Sequence, residues 1–412
     1  MTPRRVLFWL HLTAGVIAGI VVFFLSITGA CIAYQRQAIS WADRGHRVAA
    51  QNSPRQHLSV LMENAQHYAH APATGISIHS DASIPVEVTI GRELARVVLL
   101  DPYSGSVLGD SAPRLRAFFA EATALHRWFG MQGANRATAR AIKGAFTLAM
   151  LFLVCSGVIL WIPRKWTRSH VGKALLFRRN LQARARNWNW HNVIGIWLSV
   201  PLLLISLTGV IMAYPWANDL LYRITGNEPP PRQTEGAGRG PVAAPDKAFG
   251  EKHRSHNSNA AIRVEALIAA ANQSVPGWQT ITLRIGGPQA GGLVIQADRG
   301  DGGRPDLRTQ ITLDSATGRP IRVEPFSSYN AGRRLRMWAR FTHTGEAGGL
   351  AGETIAAIAA LGAAALMWTG FALALHRLRA RLHRKPAHVG IVTGAAASSD
   401  RDPVYTSASL KE

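Results

Sequence analysis

Acid is scarce in this chain: 24 Asp and Glu stand against 46 Lys and Arg among 412 residues, giving a formal charge of +22. Two cysteines exclude a disulfide framework. Neither CxxC, HExxH nor a Walker loop occurs, and GAGRG at 236–240 sits in a Pro/Gly-rich stretch instead of between a strand and a helix, which excludes a dinucleotide fingerprint. Charged residues make up only 17% of the chain, and four runs have none: Val6 to Gln35, Gly144 to Pro163, Asn187 to Asn218 and Thr354 to Leu375. Each can cross a bilayer, because about 20 residues at 1.5 Å rise span the hydrocarbon layer and a helix satisfies its own backbone there.

The distribution of the positive charge decides against nucleic acid. Arg164, Lys165, Arg168, Lys173, Arg178, Arg179, Arg184 and Arg186 follow the second run, Arg377, Arg379, Arg381, Arg384 and Lys385 follow the fourth, and Arg4 and Arg5 precede the first. Alternating spans put all three clusters on one side, and cationic short loops stay in the cytoplasm. Both termini are therefore expected inside, and no recognition motif accompanies the charge. Arg4 and Arg5 before an apolar run also resemble a signal peptide. The run is about twice the usual length of such a core, so it is read as an anchor. On this topology Cys31 and Cys155 sit at opposite depths and cannot meet; both are expected to be small packing residues.

Two halves of the chain repeat. His11, Gly15, Ser26, Thr28, Gly29 and Tyr34 match His191, Gly195, Ser206, Thr208, Gly209 and Tyr214 at an offset of 180. Further on, Leu100, Asp101, Gly105 and Leu108 match Leu313, Asp314, Gly318 and Ile321, and Gly157 matches Gly370, at an offset of 213. A constant offset in each half with one insertion, the stretch from Pro229 to Pro245, is what duplication leaves. The expected organisation is span 6–35, exported module 36–135, span 136–163, basic loop 164–188, span 189–216, second module 217–345 with its linker, span 350–376 and tail 377–412. Each module reads as a small α+β unit. The first has a helix near Leu58–Tyr68 and a hairpin in ARVVLLDPYSGSVLG; the second has a helix near Arg263–Asn272 and strands in WQTITLRI, GLVIQADRG and TQITLDSATGRPIRVEP.

With D-P-x-[ST]-G in a hairpin turn and W-x-H or L-H followed by glycine in the spans, the sequence resembles the PepSY-associated transmembrane helix family, iron-regulated inner-membrane proteins that include ferric-siderophore reductases. The resemblance implies an α-helical membrane protein, a four-helix transmembrane bundle from a duplicated unit with two periplasmic PepSY-like modules. It also implies b-type haem in the membrane and delivery of electrons outward.

Ionisable residues inside spans are costly unless they act, and four histidines lie in or beside the spans: His11, His126, His191 and His343. Four residues on, each has a small residue, Gly15, Gly130, Gly195 or Ala347, one turn along the same face, leaving room for a flat macrocycle. Imidazole is a common axial ligand of haem iron, so facing histidines make a six-coordinate electron-transfer site. Depth sorts them into a cytoplasmic-side pair, His11 with His191, and a periplasmic-side pair, His126 with His343, hence two haem b groups. The plainer reading is that these histidines cap or anchor helices and the glycines only permit packing, with Gly130 ending a helix. His376 is a reserve ligand; its flanking arginines favour an interface residue. His46, His57, His67, His70 and His79 have no metal-ligand spacing on a scaffold. Arg333, Arg334, Arg336 and Arg340 lie before the fourth span, either to bind lipid head groups or to steer an anionic ferric chelate to the outer haem.

The expectation is an inner-membrane oxidoreductase that passes electrons outward to a periplasmic ferric chelate such as a ferric siderophore. The bilayer and the chelate are its partners, nucleic acid is not, and no nicotinamide or flavin site is visible, so the donor is a protein or a quinol. The alternative is a non-enzymatic membrane protein whose modules bind or restrain a periplasmic partner.

Overall fold

The structure, a computed structural model, describes residues 2–91, 96–162, 172, 175–231, 264–284, 293–314 and 317–383. The GAGRG stretch, much of the basic loop and the tail after 383 lie outside the described residues.

The chain opens with α1 (Pro3–Ile32), which begins with proline in its first turn, where a missing N–H costs nothing. After the short α2 (Gln35–Ala42) comes α3 (Leu58–Ala69), then strands β1 (Ala73–His79), β2 (Val86–Ile90), β3 (Arg96–Leu100) and β4 (Val107–Asp110). Two helices follow, α4 (Pro113–Trp128) and α5 (Asn135–Trp161). The second half has α6 (Ala183–Trp197), α7 (Ser199–Ala213), α8 (Pro215–Ile224), α9 (Val264–Ser274), β5 (Thr280–Arg284), β6 (Leu293–Asp298), β7 (Arg308–Leu313), β8 (Pro320–Pro325), α10 (Ala331–Thr344) and α11 (Gly349–Leu382).

Among the described residues three helices, α1, α5 and α11, are long and apolar enough to cross a membrane, and α6 with α7 makes a fourth span if the pair, bent by 67°, counts as one. The uncharged run 187–218 is thus not one straight helix. Pro201 explains the break: it has no N–H to give the Trp197 carbonyl, and α6 ends at that residue. Position 21, the counterpart of Pro201 in the first half, is valine, and α1 runs through unbroken.

α1 packs along α11 and α5, α11 also against α6, and α5 against α7. Small residues set the approach. A Cβ on Gly19 would stand 2.5 Å from Phe371 Cζ, so any larger residue there has to push the Phe371 ring aside. Ala18, Val22, Leu153, Leu202, Ala363, Leu366 and Met367 form a dry apolar layer across the middle. Both cysteines are free and exposed on the outside of the helices, so the expectation that they pack inside is corrected. Outward-facing apolar side chains are normal where the solvent is lipid.

The two α+β units are not separate. Their strands form one antiparallel eight-stranded sheet in the order β4-β3-β2-β1-β5-β6-β7-β8. The halves join where β1 pairs with β5, with Ser77 opposite Thr282 and their hydroxyls 3.3 Å apart. Alternating burial along the strands puts Ile76, Ile78, Val88, Val98, Ile281, Leu283, Ile295 and Ile311 on one face, where α3 and α9 cover them in a shared core. The two conserved-looking turns form alike. Asp101 accepts from the N–H of Tyr103 at 2.7 Å and Asp314 from that of Thr317 at 2.7 Å, and Gly105 and Gly318 close the turns at φ +74° and +68°.

The sheet unit is latched to the helices at one end. Glu353 of α11 is 1% exposed and meets Arg36 at 2.8 Å, with Gln37 also donating to it, while Arg36 donates on to the Asp301 carbonyl at 2.6 Å. At the other end Arg4 donates to the Leu160 and Ile162 carbonyls at the close of α5 (2.6 and 2.8 Å), and Arg377 and Arg381 stack over Phe8 and Trp9 (4.6 and 4.8 Å). The basic clusters at the start of α1 and the end of α11 therefore share one end, opposite the sheet.

Candidate functional site

His11 on α1 and His191 on α6 face each other across the basic half of the helices, with ring centres 6.5 Å apart and planes at 89°. His126 and His343 lie in neither α5 nor α11. They sit on α4 and α10, which pack on α1 and α7 respectively, and they are near enough for charge on one to bear on the other. Thr28, against which His126 rests, is about 25 Å along α1 from His11, at 1.5 Å per residue.

Each ring is held the same way, by a Ser/Thr–Gly dipeptide on a neighbouring helix. His11 Nδ1 is 2.7 Å from Ser156 Oγ, His191 Nδ1 is 3.0 Å from Thr369 Oγ1, His126 Nδ1 is 3.0 Å from Thr28 Oγ1 and His343 Nδ1 is 3.2 Å from Thr208 Oγ1. The following residue, Gly157, Gly370, Gly29 or Gly209, lies under the ring, where a Cβ would stand 3.5, 3.6, 3.3 or 3.2 Å from the imidazole Cε1.

The hydroxyls fix the tautomer. Each has one proton and gives it to the backbone carbonyl four residues back: Ser156 to Phe152 (2.6 Å), Thr369 to Ala365 (2.8 Å), Thr28 to Phe24 (2.9 Å) and Thr208 to Leu204 (2.6 Å). With that proton given to the carbonyl, the hydroxyl meets the ring through a lone pair, which favours the tautomer with hydrogen on Nδ1. At His343 a second acceptor, the Ile205 carbonyl at 2.9 Å, makes the same demand. Nε2 is left with an unshared pair in all four rings, the arrangement that metal-binding histidines have when Nδ1–H is engaged behind them.

Around His11 and His191 is a cavity of about 950 Å³. Its walls include Gly15, Gly157, Gly195 and Gly370 with Leu153 and Leu366, and Arg4, Arg5, Arg184 and Arg377 line it as well. The residues fit a haem. Two imidazoles on opposite sides of one iron hold their centres about 6 Å apart, since a metal–imidazole bond is about 2 Å and the ring centre lies about 1 Å beyond the nitrogen. The glycines leave room for a flat ring, the lining is apolar, and arginines are there to meet two carboxylates.

The small residue four positions on acts differently in the two pairs. Gly15 and Gly195 do line the cavity. Gly130 lies past the end of α4, at φ +73° after a left-handed Phe129, and Ala347 follows α10 in a separate turn. At the outer pair those residues lie beyond the helices, and it is Gly29 and Gly209 that lie against the rings. His376 is absent from the cavity wall, which Arg377 joins instead. Elsewhere, His79 lies 3.5 Å from Glu87 and the His67 and His70 rings are 6.3 Å apart, and no cluster of three or more metal-binding side chains occurs among the described residues.

The arginines of α10 do not form one open patch. Arg333 stacks on Tyr329 at 3.4 Å, Arg336 is half-buried beside Tyr222, and Arg340 lies over Phe341 at 4.5 Å and 3.9 Å from Glu346. Arg334 and Arg340 are the exposed members.

Burial, with neighbouring positive charge, holds the His126 imidazole down to about 3, and burial holds that of His343 down to about 4. In the unfolded chain both would take a proton near 6.5. The unfolded state therefore binds more protons between these limits, and the ligand-free protein should lose stability as pH falls from 6.5 toward 4, by up to about 1.4 kcal/mol per histidine per pH unit. Thermal unfolding in detergent across that window should show it, with a smaller loss in His126→Gln and His343→Gln.

The hydroxyls make a second expectation. Replacing Ser156 by Ala, or Thr369 or Thr28 by Val, removes the hydroxyl partner of Nδ1 and should weaken metal or haem affinity at that pair about 10- to 100-fold while leaving the other pair intact, with a smaller loss for Thr208→Val because the Ile205 carbonyl still holds His343 Nδ1. Equilibrium haem titration of each variant checks this.

Helices long and apolar enough to cross a membrane, joined to an antiparallel sheet at one end and carrying half-buried histidines between them, define a membrane protein with a helical transmembrane core. The chain belongs to the family described as the PepSY-associated TM region, which matches residues 8–377 and so takes in all four histidines. The search of curated proteins returned no match.

Proposed function

We propose that the protein is a haem b-containing inner-membrane oxidoreductase that passes electrons outward to a periplasmic ferric chelate, a ferric siderophore being the expected class. The observation that carries this reading is the fourfold histidine arrangement: two pairs at two depths, every Nδ1 engaged by a hydroxyl and every Nε2 free. Four histidines that merely cap helices would have no reason to share one tautomer.

On this reading the chain is a duplicated unit whose four spans make a bundle, with the joined sheet as two PepSY-like modules in the periplasm and both termini in the cytoplasm. His11 and His191 hold one haem, His126 and His343 a second. Bound haem supplies a one-electron couple at each site. The serine and threonine hydroxyls orient the ligands, and the arginines of the inner cavity neutralise carboxylates. The apolar residues Ala18, Val22, Leu153, Leu202 and Met367 pack together between the pairs. Reduction releases iron because hard oxygen ligands hold Fe(II) far less tightly than Fe(III). Of the α10 arginines, the exposed Arg334 and Arg340 are those placed to attract an anionic chelate. The donor is a protein or a quinol.

Proteoliposomes test the reading. Dithionite-reduced protein should be reoxidised by a ferric chelate added on the sheet side, at a rate that falls as salt rises if the chelate is anionic. Reoxidation only from the basic side, or none, would refute the direction or the activity.

A further inference from the structure

We propose that Lys143 binds a carboxylate beside the outer histidine pair. This rests on the reading of that pair as a haem site. Lys143 lies in the third turn of α5, within a span, where an unpaired ammonium is costly unless it has a task. It faces inward. Thr147, one turn on, donates to the Lys143 carbonyl at 2.8 Å, and its Cγ2 stands 3.0 Å from where a Cβ of Gly209 would be, the same point that lies 3.2 Å from His343 Cε1. The charge of Lys143 reaches both His126 and His343.

No acid meets it. Among the described residues Lys143 has no ion pair, and the charges that bear on it are those of Arg127 and Arg140. Those two and Arg136 surround the Trp128 ring at 5.0, 5.6 and 5.8 Å. Positive charge thus runs from this corner of α4 and α5 into the space beside two neutral imidazoles. The equivalent position in the second half, 213 residues on, is Ala356, so helix packing does not require a lysine here. A compact ammonium with three donors and no partner, in a medium of low dielectric, is matched by one carboxylate. Two sources share that chemistry: a carboxylate of the outer macrocycle, or one of an arriving ferric chelate.

Full-length protein in nanodiscs, with Lys143→Met and Lys143→Arg, decides the matter by midpoint potentials of each haem and by binding of gallium(III) citrate, a redox-inert chelate. If the macrocycle supplies the carboxylate, Lys143→Met leaves it unpaired. The reduced-to-oxidised ratio of the outer haem then falls about tenfold at fixed potential, some 59 mV for one electron, and that potential becomes pH-dependent between about 5 and 8. If the chelate supplies it, gallium citrate affinity falls at least tenfold in Lys143→Met. Lys143→Arg keeps most of the wild-type potential and citrate affinity in either case, and the inner haem, unchanged, shows that the variant is folded. A pH-independent drop in potential with unaltered citrate binding means a bare cation and overturns the proposal, as does no change at all. If wild-type protein holds no second haem, the reading of the outer pair fails, and the citrate arm alone decides for or against a carboxylate site at Lys143.

Discussion

Alanine at His11 or at His191 is expected to remove one haem, and the same one, from the purified protein, and alanine at His126 or at His343 to remove the other. Haem content falls by about half in each single variant and to about half, not to zero, in the His11→Ala, His191→Ala double. The 6.5 Å between the His11 and His191 ring centres is the reason for the first pairing, and the shared Nδ1 arrangement on α4 and α10 is the reason for the second. An iron that loses one of two axial imidazoles is five-coordinate and weakly held, so the effect is large. Spectra of the four single variants should fall into two classes. Loss of both haems from every variant would mean one shared site and would break the pairing.

The second large effect comes from filling space while leaving every histidine in place. A Cβ at Gly157 or Gly370 would lie 3.5 or 3.6 Å from the imidazole Cε1, an ordinary contact, so alanine should be accepted with nearly full haem content. Leucine at either position carries its branches into the cavity beside His11 and His191, where the macrocycle has to lie, and should remove the inner haem as thoroughly as a histidine substitution does. The outer haem serves as the internal control. Equal haem content in Gly157→Ala and Gly157→Leu would show that nothing occupies that space, and the cavity would then be a packing defect.

Much of this was legible in the sequence, and what was not has a physical reason. The uncharged runs mark the apolar middles of α1, α5 and α11, because a continuous apolar helix satisfies its backbone in lipid, while the charged ends of α5 and α11 extend beyond them. Asp101 and Gly105, with Asp314 and Gly318, mark two hairpins that form as local chemistry requires. The joining of the two α+β units was invisible, since β1 and β5 are some two hundred residues apart and an edge strand carries no local sign of its partner. The bend at Leu198 could have been read from Pro201.

At the site, the histidines and their equivalence stood out from charge and repeat. Thr28–Gly29 and Thr208–Gly209 were in the repeat too, yet their role was not readable, because each serves a histidine on another helix: Thr28 of α1 meets His126 of α4, and Ser156 of α5 meets His11 of α1. A residue's offset reports descent, not facing. For the same reason Gly130 and Ala347, placed by spacing under the outer histidines, turned out to lie beyond the ends of α4 and α10. The spacing rule holds within a helix and stops where the helix stops.

The central claim is that the four histidines hold haem. Its most direct test is the reduced-minus-oxidised absorbance spectrum, with a haem-to-protein ratio, of full-length protein purified from cells with ample haem supply. The account predicts a b-type spectrum and two haems per chain; protein that is colourless, with no Soret band and no gain on titration with hemin, would contradict it.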